Sequence, residues 1–318
     1  MIGRMSSDQI HQSGLDVILD AQKKLSRTQE ELASGKRLLT PADDPVATAQ
    51  IQSIRSELSR IETMQSNISR ASSELAMVED SVANVEGLLM RARELAVRGA
   101  NDSLSLQDRE IIATEVDALR EQLIATANTQ SSDGDYIYAG YAVSAAPYTD
   151  ATVNATYAGD TGVRAINIAP GLTVNTRFAG EAVFGQGSAA TGQLNAFEAL
   201  AVLSAGLRGN ASAAITSLTN NGNAVTQDEA INISMQALDT NLETVRSVRT
   251  QLGVRMNRVD DQQALNANFN VRLQETLSGL EDLDYTKAIT EMNLQMVALE
   301  AAQMAYTKTQ SLSLFNYM

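Results

Sequence analysis

Residues 15–32, LDVILDAQKKLSRTQEEL, and residues 285–310, YTKAITEMNLQMVALEAAQMAYTKTQ, decide the architecture predicted for this chain. In both segments apolar residues recur at alternating spacings of three and four, the seam of a helix that packs against another helix. The predicted seam residues are Leu15, Ile18, Leu25 and Leu32 in the first segment, and Ile289, Met292, Met296, Leu299 and Tyr306 in the second. Glutamines dilute both seams, so each helix is expected to be marginal in isolation. The simplest arrangement pairs the two ends of the chain with each other.

The ends also differ from the rest of the chain in charge. Acidic and basic residues nearly balance there, and the excess acid behind the net charge of −14 lies in the segments that flank the middle. The second seam runs into an apolar close that contains Leu312, Leu314 and Phe315. We therefore expect residues 1–45 and 286–318 to form a terminal coiled-coil layer that is disordered in the monomer and ordered on assembly, with the seams and the apolar close as the interface.

Long helical patterns lie between the ends. One runs from about Val46 to Gly99, and a second from about Leu106 to Gln130 follows after a short loop, which predicts an antiparallel helical hairpin. Helical spacing returns from about Leu194 to Leu207. After a polar break at Asn220-Asn221-Gly222-Asn223 it continues to about residue 280, with a predicted interruption at Gly253. Residues 46–135 and 195–285 are therefore predicted to form a helical rod or bundle.

The middle of the chain, residues 136–194, is predicted to be a β-rich variable insert that forms a small outward domain. Apolar residues alternate with polar ones on both sides of Pro170-Gly171, from Ile166 to Phe178. Proline followed by glycine suits the two central positions of a type II turn, so this segment predicts a β-hairpin. The predicted fold class is thus mainly α with a β-rich insert.

The composition argues against several kinds of site. The chain has no Cys and one His, which excludes a thiolate nucleophile and leaves no set for a His-based triad or a multi-histidine metal site. The pairs Asp43-Asp44 and Asp260-Asp261 lack the alternating oxygen ligands of a calcium loop, so turn and helix-surface roles are favoured. We predict no catalytic residues, no metal and no cofactor.

Composition also limits the partners. The net charge argues against nucleic acid. The chain holds no apolar stretch of membrane-spanning length, and its first residues lack the apolar core of a secretory signal. We therefore expect neither a nucleic acid nor a membrane as partner, and an export route without a cleaved signal if the protein leaves the cell.

Several stretches resemble the flagellin-like family. These are KLSRTQEELASGKRLLTPADDPVA at 24–47, LLMRARELAVRGANDS at 88–103 and LQETLSGLEDLDYTKAITEMNLQMVALEAAQ at 273–303. Three further stretches, DGDYIYAGY, TYAGDTGVRAINIAPG and the closing SLSLFNYM, are nearer to the hook-associated branch of that family than to filament flagellins. The resemblance covers nearly the whole chain, with its motifs in the order and spacing of the family.

This resemblance implies a non-enzymatic structural subunit of the extracellular bacterial flagellum, exported through the channel of the flagellum itself. It implies an adaptor at the junction of hook and filament, with other copies of the chain, hook-associated protein 1, flagellin and an export chaperone as partners. One alternative is a short filament flagellin. Another, of a different class, is an extracellular module that binds a glycan or a host protein through the β-rich insert.

Overall fold

The computed structural model describes residues 7–149, 155–187, 193–210 and 226–315, and side chains only between residues 12 and 308. Its helices are α1 (Ser7–Ser34), α2 (Pro45–Gly99), α3 (Leu106–Ala127), α4 (Gly180–Phe184), α5 (Ala196–Leu207), α6 (Gln227–Glu281) and α7 (Tyr285–Phe315). Its strands are β1 (Tyr148–Thr149), β2 (Thr156–Tyr157), β3 (Ala165–Ala169) and β4 (Leu172–Asn175), which form two antiparallel two-stranded sheets. The predicted fold class, mainly α with a small β region in the middle, is confirmed.

Local sequence sets the turn between α1 and α2 as predicted. Helix α1 ends before Gly35, whose φ of 70° is a backbone conformation that favours glycine. The Asp43 carboxylate accepts the Thr40 backbone N–H at 2.9 Å, and the Asp44 carboxylate accepts the Ala47 N–H at 3.0 Å. Asp44 thereby caps α2, which begins at Pro45, where a proline costs no hydrogen bond. The two carboxylates serve the turn and the helix start.

The predicted interruption at Gly253 is wrong, because α6 is continuous through it. A glycine inside a helix costs only about 1 kcal/mol relative to alanine. Leu252 is fully buried beside it, and Val248 and Val259 are also buried in the same core. Packing of these side chains outweighs the local preference of one glycine.

The chain divides into two compact units. The first, here called the terminal unit, is made of Met1–Ile61 with Ala267–Met318, and the second, the central unit, is Glu62–Asn266. Helices α2 and α6 each contribute residues to both units. The three-part division predicted from the sequence stays a prediction. Its parts are the terminal layer (1–45 and 286–318), the helical rod (46–135 and 195–285) and the β-rich insert (136–194).

The helices and the β region of the central unit share one hydrophobic core. Tyr138, Phe184 and Phe197 are fully buried in it, and the Phe184 ring lies 5.2 Å from that of Tyr138 and 5.1 Å from that of Phe197. The predicted hairpin is confirmed, since Ala169 pairs with Leu172 across Pro170-Gly171, and Gly171 has a φ of 74°. The β region therefore packs directly on the helical core.

Ion pairs fix the direction of α6 against α2 within the central unit. The Glu86 carboxylate accepts hydrogen bonds from Arg246 at 2.9 Å and from Arg249 at 2.8 Å, and Arg93 pairs with Asp239. Because higher numbers on one helix meet lower numbers on the other, α2 and α6 are antiparallel.

Candidate assembly interface

The two ends of the chain pair as antiparallel helices in the terminal unit. The Thr28 hydroxyl donates to the Gln295 side chain at 3.0 Å, across α1 and α7. Near the start of α1, a Cβ added to Gly14 would lie 2.8 Å from Cδ2 of Tyr306, so glycine is what allows that ring to approach the helix. At the other end of α1, the Leu283 N–H donates to the Gly35 carbonyl at 3.0 Å. The predicted pairing of the two ends is confirmed.

The predicted seam residues are only partly covered by this pairing. Leu15, Ile289 and Met296 remain 48%, 46% and 41% exposed. The remaining six described ones are half-buried: Ile18, Leu25, Leu32, Met292, Leu299 and Tyr306. Leu312, Leu314 and Phe315 belong to α7, but their side chains lie outside the described part of the chain. The role of these twelve residues in assembly stays a prediction, as does the gain of order on assembly.

A second apolar face on α7 was missed from the sequence. Leu294, Val297 and Met304 are 67%, 65% and 60% exposed. At helical spacing they lie on one stripe, well away from the stripe of Met292, Leu299 and Tyr306. The sequence holds this signal as a second spacing of three and four, through Leu294, Val297, Ala301 and Met304, which the first seam overshadows.

A helix that is apolar on two faces is one that packs on two sides. Helix α1 covers one side of α7 within the chain. On α1, Val17 and Leu19 are likewise 57% and 45% exposed. Large exposed apolar side chains on both helices of this layer favour surfaces that further protein covers.

Within the terminal unit, a cluster of charged side chains joins the turn after α1 to the end of α6. The Glu281 carboxylate accepts two hydrogen bonds from Arg55, at 2.8 and 2.7 Å, and also pairs with Lys36. These bonds, that of Lys36 foremost, hold the pKa of Glu281 below its usual range. Beside them the Arg37 N–H donates to the Glu281 carbonyl at 2.8 Å. The carboxylate thus joins the N-terminal and C-terminal segments of the chain.

The described residues show no group of three or more His, Cys, Asp or Glu side chains placed to hold a metal ion. Within the same part of the chain, every helix is too short or too polar to cross a membrane.

Comparison with known proteins places both ends of the chain in one family. A family model for the bacterial flagellin N-terminal helical region matches residues 6–143, and one for the bacterial flagellin C-terminal helical region matches residues 235–318. Together the two models match well over half of the chain.

Relatives are similar along different shares of their length. Flagellar hook-associated protein 3 of Escherichia coli (strain K12) is 26% identical over 322 residues, which cover 98% of this chain and 98% of that protein. Flagellin of Listeria innocua is also 26% identical, over 272 residues that cover 84% of this chain and 82% of that protein. The solved structure of flagellar hook-associated protein 3 from Legionella pneumophila is similar with a TM-score of 0.61 and 18% identity, and covers 72% of this chain and 98% of that one. This last likeness concerns the fold.

Proposed function

Because this chain belongs to the flagellin family, we propose that it is the structural subunit that joins the hook of the bacterial flagellum to its filament. The observation that carries the proposal is the end-to-end similarity to flagellar hook-associated protein 3, which reaches 98% of both chains. The pairing of the terminal helices supports it, because they leave apolar faces uncovered at the positions where a polymerising subunit needs them.

The proposed mechanism is helix packing between copies. The half-buried seam holds α1 and α7 together within one subunit. The second stripe of α7, with Leu294, Val297 and Met304, then packs against helices of neighbouring copies. Burial of the part of each side chain that is still exposed stabilises the assembly by roughly 1–2 kcal/mol. A subunit that works in this way needs no catalytic group, and we propose that it is not an enzyme.

The proposed partners follow from the position at the junction. They are other copies of this chain, hook-associated protein 1 on the hook side, flagellin on the filament side, and an export chaperone before assembly. The proposed location is the extracellular flagellum, at the boundary of hook and filament.

A filament flagellin is the second candidate, since Listeria innocua flagellin is as identical as the hook-associated relative. That similarity covers a smaller share of both chains, 84% and 82%, which favours the junction role. The glycan- or host-binding module suggested by the β-rich insert stays a prediction.

Deletion of the gene in the source bacterium separates the two candidates. A junction subunit is required for the filament to attach, so cells without it should keep hooks, lack filaments and release flagellin into the medium. Expression of the full chain from a plasmid should restore filaments. If the deletion strain instead keeps filaments on its hooks, the junction role is wrong.

A further inference from the structure

A polar groove runs along α6 in the central unit. It consists of two adjoining cavities of about 380 and 450 Å³ that share Thr240 and Thr244 in their walls. One wall is α6 from Gln236 to Gln251, a length of about 22 Å at 1.5 Å per residue. The opposite wall includes Phe178 and Gly185, on either side of α4. Volumes of this size are within the range of ligand sites in proteins, and the groove is elongated.

The lining of the groove is polar and almost uncharged. Half of its sixteen described lining residues are Gln, Asn, Ser or Thr, and the one charged side chain among them is that of Glu243. The described residues that line it include no Lys or Arg, which disfavours phosphate, sulfate and nucleic acid as ligands. A single carboxylate is also too little for a metal ion, which needs several oxygen ligands.

The hydroxyl groups on α6 present acceptors to the groove. The Thr240 hydroxyl donates to the Gln236 carbonyl at 3.0 Å, and the Thr244 hydroxyl donates to the Thr240 carbonyl at 3.0 Å. A hydroxyl has one proton and two lone pairs. Both protons are therefore used inside the helix, and the lone pairs are left to accept hydrogen bonds from a ligand.

The side-chain amides likewise use their donors within the protein and present their oxygens to the groove. Asn241 is 3% exposed, and its Nδ2 donates to the carbonyls of Leu194 at 3.1 Å and Ala237 at 2.8 Å. Its Oδ1 lies on the groove side, next to Gly185, where an added Cβ would collide with it. At the rim, Nε2 of Gln186 donates to the Glu181 carboxylate at 2.7 Å, so its Oε1 is left as an acceptor. A buried amide with both donors used and its oxygen at the cavity wall marks a built site.

We propose that this groove binds a neutral, hydroxyl-rich oligosaccharide. Its wall offers more hydrogen-bond acceptors than donors, so a complementary ligand must bring many donors without bringing charge. Saccharide hydroxyl groups do this, and a linear oligosaccharide also matches the elongated shape. A peptide brings only one backbone N–H donor per residue, whereas each sugar ring carries several hydroxyl donors close together, so a saccharide can reach more of the acceptors along the wall. The proposal does not depend on the flagellar role.

The test is binding of the purified full chain to an array of neutral linear oligosaccharides, hexamers derived from glucans, mannans, galactans and chitin, with anionic glycans on the same array. Titration calorimetry then gives Kd for each ligand found. We expect at least one neutral series to bind. Thr244→Arg, in the wall shared by both cavities, or Gln251→Arg, at one end of the groove, should weaken binding at least about tenfold, or 1.4 kcal/mol.

Thr250→Arg is the matched control. It lies outside the groove on the same helix, is exposed, and its hydroxyl donates to the Arg246 carbonyl at 3.0 Å, as those of the groove threonines do to their own helix. It should bind within about twofold of the parent protein. The proposal is overturned if no neutral oligosaccharide binds above an albumin background, if only anionic glycans bind, or if Thr250→Arg loses as much affinity as the groove variants. Far-UV circular dichroism checks that all variants are folded, and two groove variants guard against one failing to fold.

Discussion

Glu281→Gln tests how the two ends of the chain are held together. The Glu281 side chain is 10% exposed and accepts hydrogen bonds of 2.8 and 2.7 Å from Arg55. Bonds of this charged kind contribute about 1.5–3 kcal/mol each in protected sites. Arg55 and Lys36 are 48% and 49% exposed, so water solvates them when the carboxylate charge is removed. We therefore expect a net loss of about 1–2 kcal/mol, confined to the terminal unit.

The assay is amide hydrogen exchange of the full-length chain assembled with other copies, the form in which the terminal layer is expected to be ordered. The Arg37 and Leu283 amides, bonded at 2.8 and 3.0 Å beside the carboxylate, report directly on this closure. A loss of 1–2 kcal/mol should lower their protection by a factor of about 5–30. Glu57→Gln is the control, because Glu57 is 40% exposed and pairs with Arg60 along one helix, where such pairs contribute about 0.2–0.5 kcal/mol.

The stabilisation by Glu281 should depend on pH in a definite direction. The pKa of Glu281 is lowered by Lys36 and Arg55, so its contribution is fully present above the unfolded value, about 4.3, and is lost as pH falls through the folded pKa. The difference in protection between parent and Glu281→Gln should thus be largest at neutral pH and vanish in acid, after correction for intrinsic exchange rates. Equal protection of Arg37 and Leu283 in both proteins at neutral pH would refute the reasoning.

Two further predictions concern the seam and the core. Leu25→Asp or Met296→Asp should block assembly, because each would place an unpaired charge in a packed helix interface, while residues 46–285 stay folded. Sedimentation of the purified variants checks assembly, and circular dichroism checks the fold. Loss of the helical signal of residues 46–285 would contradict the seam assignment. Tyr138→Phe removes a 2.8 Å hydrogen bond to Ser81 in the buried core and should lower the free energy of unfolding by about 1–2 kcal/mol. Phe184→Ala leaves a cavity in the same core and should lower it by about 3–5 kcal/mol. Urea unfolding measures both, and equal losses would contradict the packing described.

Local sequence chemistry predicted those parts of the fold that depend on neighbouring residues. The helix end before Gly35, the turn that closes at Pro45 and the hairpin at Pro170-Gly171 each follow from backbone preferences of a few adjacent residues. The pairing of the two ends was predicted from matching patterns, because each glutamine-diluted seam lacked an obvious partner near it in the sequence.

Features that depend on distant residues could not be predicted in this way. Glu281 lies 226 residues from Arg55, and no local pattern shows that the two side chains meet. The groove on α6 likewise depends on where α4 packs. At Gly253 a local rule failed because buried neighbours decide the structure. The second apolar face of α7 could be predicted from the sequence, but only by testing every face of the helix for apolar spacing.

Immunogold electron microscopy of isolated flagella, with an antibody against this chain, tests the central claim most directly. The junction role predicts one gold cluster per flagellum, at the boundary of hook and filament. Label along the whole filament would make the chain a filament flagellin, and flagella without label would contradict the proposed role altogether.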